Sequence, residues 1–267
     1  MSLHPIPVLL YNIIQDIRAR DPDRAPLIGV AGAQGSGKSY QCRILAMANQ
    51  PRFAHFSLDD VYMHHEHREE RAAEVHQLFV TRGVPGTHDL SYARTVINWL
   101  RHDNPPSSVQ LPRFDKATDT RLPRDAWPIF QGPAEAIVMD GWCLGALPQD
   151  GEALGAPVNE LEENEDADGV WRRYVDEELS GAYRQFFDSF DAIVYLRPPN
   201  WEIVRTWRKQ QEEQTLGRAL NTDQEKWLDR FLMHYERITR WMMAGHHNAK
   251  WIVHLDEARN VTRIEER

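Results

Sequence analysis

The sequence predicts an α/β fold, a parallel β-sheet of about five strands with helices on both faces. Three observations predict it. Short, almost wholly apolar runs recur along the chain, as strands buried on both faces do. Longer stretches with helical spacing lie between them, the alternation that builds parallel strand–helix units. The first apolar run also leads straight into a glycine-rich turn, Gly32-Ala-Gln-Gly-Ser-Gly37-Lys38-Ser39, and then into a helical run.

The strand candidates are LIGVA (27–31), FAHFSL (53–58), AIVMD (136–140), AIVYL (192–196) and WIVHL (251–255). Helical spacing is clearest over 39–49, about 68–81, 90–102, 171–187, 200–213 and 223–243. IPVLLYNII near the N-terminus reads as an amphipathic helix. Pro5, Pro7 and Asn12 interrupt it, no small-residue cleavage pattern follows, and it is too short to span a bilayer. Two stretches break the alternation. Residues 103–135 hold six prolines and read as an ordered excursion, and residues 148–169, acidic and Gly-rich, read as a mobile surface loop. A chain of 267 residues suits one domain spanning 1–267.

The bulk composition excludes some functions. The formal net charge is -9 without a long Lys/Arg block, which argues against nucleic acid as a partner. Cys42 and Cys143 form no disulfide framework or metal spacing, so a reducing, cytoplasmic compartment without a membrane partner is expected. Oligomeric state leaves no mark on the sequence.

The glycine-rich turn fits G-x-x-x-x-G-K-[ST] in its proper strand-to-helix context. Glycines let successive backbone N–H groups turn inward around a phosphate, and the helix N-terminus adds its positive end. Gly32, Ala33, Gln34, Gly35, Ser36, Gly37, Lys38, Ser39 and Tyr40 are therefore the expected ATP-binding residues, in a P-loop NTPase fold. Lys38 would reach the outer phosphates and Ser39 would ligate Mg²⁺. Asp140 closes an apolar strand at the same sheet edge and is the expected second Mg²⁺ group. Asp59 and Asp60 follow the second strand at that edge. One of the two is expected to act on an acceptor hydroxyl or on the metal, and the other to cap or brace.

GAQGSGKS, SLDDVY, RGVPGTHDL, LPRFDKATDTRLP, DGWCLGA and the WRKQQE helix occur in this order. Together they resemble the D-glycerate 3-kinase family, over roughly residues 25 to 245. That family is related to uridine kinases, phosphoribulokinases and pantothenate kinases. The resemblance implies that Asp59 is the catalytic base. Asp140-Gly141-Trp142 stands where the family has Glu-Gly-Trp, a departure that should still serve Mg²⁺.

The resemblance also places the acceptor site in an excursion around 82–130. Asp60, Tyr62, Arg82, His88, Arg113, Asp115, Lys116 and Arg121 are the candidate substrate contacts, since a small hydroxy acid needs Arg or Lys for its carboxylate. Each alone reads equally well as a surface ion pair. In kinases with this core a mobile lid helix brings arginine onto the transferring phosphoryl group. Arg205 and Arg208, sharing one face of the 201–212 helix, are the candidates, beside a reading of that face as solvated i,i+4 pairs.

His64–His67 suggests a metal site, but adjacent histidines point apart and no further spacing completes a tetrahedral set, so a solvated helix start is expected. A GTPase base-reading motif is absent. Gly141 follows Asp140 where an ATP-driven motor wants Glu. The expected function is an ATP- and Mg²⁺-dependent kinase for a small alcohol, D-glycerate in particular, giving 3-phosphoglycerate. A nucleoside or pantothenate-like alcohol, and a catalytically weak ATP-binding regulatory protein, are the alternatives.

Overall fold

The computed structural model describes residues 4–101 and 107–267. Part of the Pro-rich 103–135 stretch and the last residue of the expected 90–102 helix lie outside them. The expected strands form as β1 (Leu27–Gly32), β2 (Phe53–Ser57), β7 (Ala136–Gly141), β8 (Ala192–Arg197) and β9 (Trp251–Leu255). All five are parallel, and the order across the sheet is β10-β9-β8-β1-β7-β2. The sixth strand, β10 (Val261–Glu266), is antiparallel to β9 and was not anticipated. Its VTRIEE sequence is polar because it is an edge, and charged edge strands discourage pairing with other chains.

Both faces of the sheet are apolar because alternate residues feed different cores. Leu27 and Ala31 of β1, with Ile137 and Met139 of β7, join one cluster. Ile28 and Val30, with Ala136 and Val138, join the other. The second cluster is closed by α1 (Pro5–Arg18), whose buried residues Ile6, Leu10, Ile13 and Ile14 keep helical spacing, and by α2 (Lys38–Ala48). The first face is covered by α4 (Leu90–Arg101), α6 (Val170–Glu178), α7 (Arg184–Phe187) and α9 (Thr222–Met243). No helix among the described residues is long and apolar enough to cross a membrane.

The remaining elements surround the C-terminal edge of the parallel strands. A 3-10 turn follows β2 at Leu58–Val61, and α3 (His65–Glu74) begins within the histidine run. The excursion pairs β3 (Ser108–Gln110) with β6 (Ile129–Gln131), and β4 (Phe114–Asp115) with β5 (Thr120–Arg121). The expected 171–187 helix carries a π-helical turn at Leu179–Tyr183, which aims Tyr183 at the 82–89 loop. Helix α8 (Glu202–Leu216) ends at Gly217 in a left-handed cap, and α9 starts with an Asn221–Gln224 capping box.

The acidic 148–169 stretch needs correction, because it contains α5 (Glu160–Glu165) and two buried ion pairs rather than only solvated charge. Glu162 meets Arg237 at 2.5 Å, and Asp166 meets Arg172 at 2.9 Å. Its partners lie on the helices that follow, so local composition made it look solvated.

Candidate active site

The glycine-rich loop joins β1 to α2 at the C-terminal sheet edge. Gly35 (φ +75°) and Gly37 (φ +86°) take left-handed conformations that turn the chain back on itself. The loop lines a cleft of about 540 Å³ that runs from Gln34 to Gln41 and is flanked by Asp59, Lys116, Gln211 and Arg259. Tyr40 lies half-exposed on its rim. Lys38 is buried, and among the described residues its ammonium has a single hydrogen bond, at 3.4 Å to the carbonyl of Ala33. Burial pulls its pKa down while Asp140 and Asp59 pull it up, with a net decrease. The Ser36 hydroxyl is buried and has no partner among the described residues. An under-partnered ammonium and hydroxyl inside a loop of inward glycines fit an anionic phosphate.

Asp140, at the end of β7, is 1% exposed and fully engaged. Its Oδ1 accepts from Ser39 Oγ at 2.7 Å and Ser57 Oγ at 3.1 Å, and its Oδ2 faces His55 Nε2 at 2.8 Å. Burial would push this carboxyl up. The hydrogen bond and charge of His55, then Lys38 and Ser39, outweigh it and hold the group ionised. Ser39 and Asp140 thus present hard oxygen donors side by side, the set that Mg²⁺ takes. His55 and Ser57 escaped sequence reading, although polar residues two apart on an apolar strand share one face, and Ser57 registers opposite Asp140.

Asp59 and Asp60 lie in two different surroundings. Asp60 Oδ2 accepts from Ser57 N–H at 2.9 Å in a capping box and from Arg113 at 2.6 Å. Burial still pushes its carboxyl up despite Arg113. Asp59 turns toward the cleft, where Oδ1 accepts from Tyr62 Oη at 2.8 Å and Oδ2 from Lys116 Nζ at 2.5 Å. Burial raises its carboxyl, but Lys116 and Lys38 more than reverse this and hold it well below the usual carboxylate range.

Gln34, Asp59, Tyr62, Arg82, Lys116 and Arg208, with Phe231 and Tyr235, line a second, narrow pocket of about 10 Å³. Of the expected substrate residues, Tyr62, Arg82 and Lys116 therefore meet at Asp59. The others stand behind them. His88 stacks on Tyr62 at 4.5 Å and meets Tyr183 Oη at 2.6 Å, and burial takes its pKa down to about 3. Arg121 donates to the Tyr62 carbonyl at 3.0 Å and to Asp89 at 3.1 Å. Arg113 braces Asp60, and Asp115 closes its own turn on Thr118 at 2.7 Å. Arg82 pairs with Asp119 and donates to the Lys116 carbonyl at 3.2 Å.

The two lid candidates part company. Arg208 is 7% exposed, lies 5.6 Å from the Phe231 ring and lines the small cavity. Arg205 pairs with Asp229 on the exposed side of α8 and does not line the site. Helix α8 lies on the glycine-rich loop itself, with fully buried Trp207 against Gly35. Arg259 was also missed. In the β9–β10 loop at φ +67°, it donates to the Gly35 carbonyl at 2.7 Å. Its only sequence signal is position, just beyond the end of a strand that points at the site.

A glycine-rich loop before α2, a carboxylate closing the neighbouring strand and this sheet order are those of a P-loop kinase. No protein-family model matches the chain. It is 27% identical over 226 residues to an uncharacterized kinase of Schizosaccharomyces pombe, covering 80% of each protein. It is 25% identical over 223 residues to the chloroplastic D-glycerate 3-kinase of Arabidopsis thaliana, covering 78% of this chain and 46% of that one. The solved D-glycerate 3-kinase of Cryptococcus neoformans shares the fold, with a TM-score of 0.76, 20% identity and coverage of 98% and 99%. The chain is thus a homologue of D-glycerate 3-kinase and its P-loop kinase relatives.

Proposed function

We propose that the protein is an ATP- and Mg²⁺-dependent kinase that phosphorylates a hydroxyl of a small hydroxy acid, D-glycerate giving 3-phosphoglycerate. One observation carries this reading. Asp59 sits where the glycine-lined cleft meets a cavity bearing Arg82, Lys116 and Arg208. Three cations converge there, Lys116 on Asp59, Arg82 on Asp119 and Arg208 on Glu212, and such a cluster suits an anionic acceptor, whose charge would be costly to bury unpaired. The aromatic rings there are already used, Tyr62 on His88, Tyr235 on Trp142 and Phe231 on Trp227, which disfavours a stacked nucleoside. The name of the Arabidopsis relative points to the same acceptor.

In this reading the loop N–H groups and Lys38 hold the β- and γ-phosphates, and Ser36 donates to them. Ser39 and Asp140 would hold Mg²⁺, which when bound neutralises phosphate charge, while His55 and Ser57 fix the Asp140 carboxylate. Asp59 orients the acceptor hydroxyl and receives its proton. The hydroxyl oxygen bonds the γ-phosphorus as the bond to the β–γ bridging oxygen breaks and ADP leaves. Arg208 stabilises the phosphoryl group in transfer, and α8 acts as the lid that excludes water.

The test is ATP consumption with D-glycerate, uridine, ribulose 5-phosphate or pantothenate, comparing wild type with Asp59→Asn. Turnover is expected with D-glycerate and lost by at least about a hundred-fold in the variant. ATP consumption that ignores every acceptor and survives Asp59→Asn would sink the kinase reading.

A further inference from the structure

We infer that Lys116 is a latch on Asp59, one that the anionic group of the acceptor releases. This rests on the kinase reading above and adds selection and control to it. Both Asp59 oxygens are occupied, Oδ1 by Tyr62 Oη at 2.8 Å and Oδ2 by Lys116 Nζ at 2.5 Å. Asp59 and Lys116 line both the 540 Å³ cleft and the 10 Å³ cavity, so their ion pair is part of the wall between donor and acceptor spaces. A cavity of that volume has room for about one water, not for a hydroxy acid. Enlarging it to hold a hydroxy acid requires a wall residue to move.

Lys116 is the wall residue built to move. Its carbonyl is fixed by Arg82 at 3.2 Å, while its side chain is 46% exposed at the turn between β4 and β5. The four-carbon stem lets the ammonium swing while the backbone stays still. Tyr62 cannot do the same, because it is 1% exposed, stacked on His88 and met edge-on by Phe114. The Asp59 end of the pair is 18% exposed against 46% for Lys116, so the exchange is made by the lysine, which can pass to another carboxylate without leaving its solvated side. The carboxylate of a hydroxy acid offers Lys116 that exchange, and a neutral alcohol does not.

When the acceptor carboxylate takes the ammonium, Asp59 Oδ2 is freed to receive the hydroxyl proton. The transfer then proceeds with the bond changes given above. Without an acceptor the latch stays closed. Asp59 then remains unable to accept a proton from water, and hydrolysis of ATP to ADP and phosphate is held down. The pair therefore couples the presence of a negatively charged acceptor to release of the base.

The test measures ADP release and phosphorylated product for wild type, Lys116→Met and Lys116→Arg. Each is assayed with D-glycerate, with glycerol (which carries a neutral hydroxymethyl group in place of the carboxylate) and with no acceptor. Lys116→Met should raise glycerol-dependent and acceptor-free ATP turnover by about ten-fold, the worth of one charge-assisted hydrogen bond. It should lower kcat/KM for D-glycerate at the same time, and Lys116→Arg should restore discrimination. A gain on a neutral acceptor is something a merely structural lysine cannot produce. Wild type active on D-glycerate, with a Lys116→Met variant that loses both acceptors in proportion or keeps acceptor-free hydrolysis unchanged, overturns the latch alone. Wild type inactive on D-glycerate removes the D-glycerate kinase reading and the latch with it.

Discussion

Gly35 and Gly37 belong to one sequence motif, yet the structure assigns them different mechanical roles, and alanine substitution separates these. Both hold left-handed backbone, at φ +75° and +86°. An L-residue pays about 1–2 kcal/mol there, so each variant carries that cost. A Cβ on Gly37 would meet nothing within 4 Å. A Cβ on Gly35 would lie 2.7 Å from the carbonyl carbon and Cβ of Trp207 and 2.9 Å from the amide of Arg208. That is about 1 Å inside ordinary carbon–carbon contact. The obstacle is backbone at a fully buried Trp207, so it cannot rotate away. Overpacking of this kind adds about 1–3 kcal/mol. Gly37→Ala should therefore lose about 1–2 kcal/mol and Gly35→Ala about 2–5 kcal/mol. With an m-value of about 3 kcal/mol/M, the urea midpoints should differ by about 0.3–1 M. Equal losses, or a larger loss in Gly37→Ala, would refute the claim that α8 rests on the loop through Gly35.

Two further perturbations test the surroundings of the site. Arg205→Ala breaks exposed pairs with Asp229 and, at 4.0 Å, Glu225, and should change stability by no more than about 0.5 kcal/mol. Its kcat should stay near wild type, whereas Arg208→Ala should cost about 100-fold or more in steady-state kinetics; equal effects would place the lid arginine wrongly. Burial holds His88 at a pKa of about 3 and His234 and His247 at about 4, against an ordinary 6.5. Below pH 6.5 the unfolded chain takes up protons that the folded one refuses, so stability falls on acidification by up to about 1.4 kcal/mol per pH unit for each histidine. Thermal unfolding from pH 7 to 5 should show this slope, flattened in His88→Phe, and a flat wild-type profile would contradict it.

Local pattern and tertiary partner explain what was legible in the sequence. The five parallel strands were readable because each is buried on both faces, and the glycine-rich turn because its spacing is contiguous. β10 was not, since an edge strand is selected for charge rather than for apolar residues. Glu162 and Asp166 looked solvated because Arg237 and Arg172, which bury them, belong to other helices. His55 and Ser57 lie 85 and 83 residues from Asp140 and meet it only through the sheet register.

The arginine pair shows the same limit within one helix. Three residues apart, Arg205 and Arg208 share a face by helical geometry, and spacing cannot choose between them. The choice is made by Asp229, which holds Arg205 outside, and by Phe231, which covers Arg208 inside. Asp59 is the converse case. Its place after β2 was legible, but the two donors that occupy it come from opposite directions, Tyr62 three residues on and Lys116 from the excursion. A carboxylate held by the half-exposed Lys116 side chain on one side and a buried ring on the other is asymmetric by construction, and only the lysine side can yield.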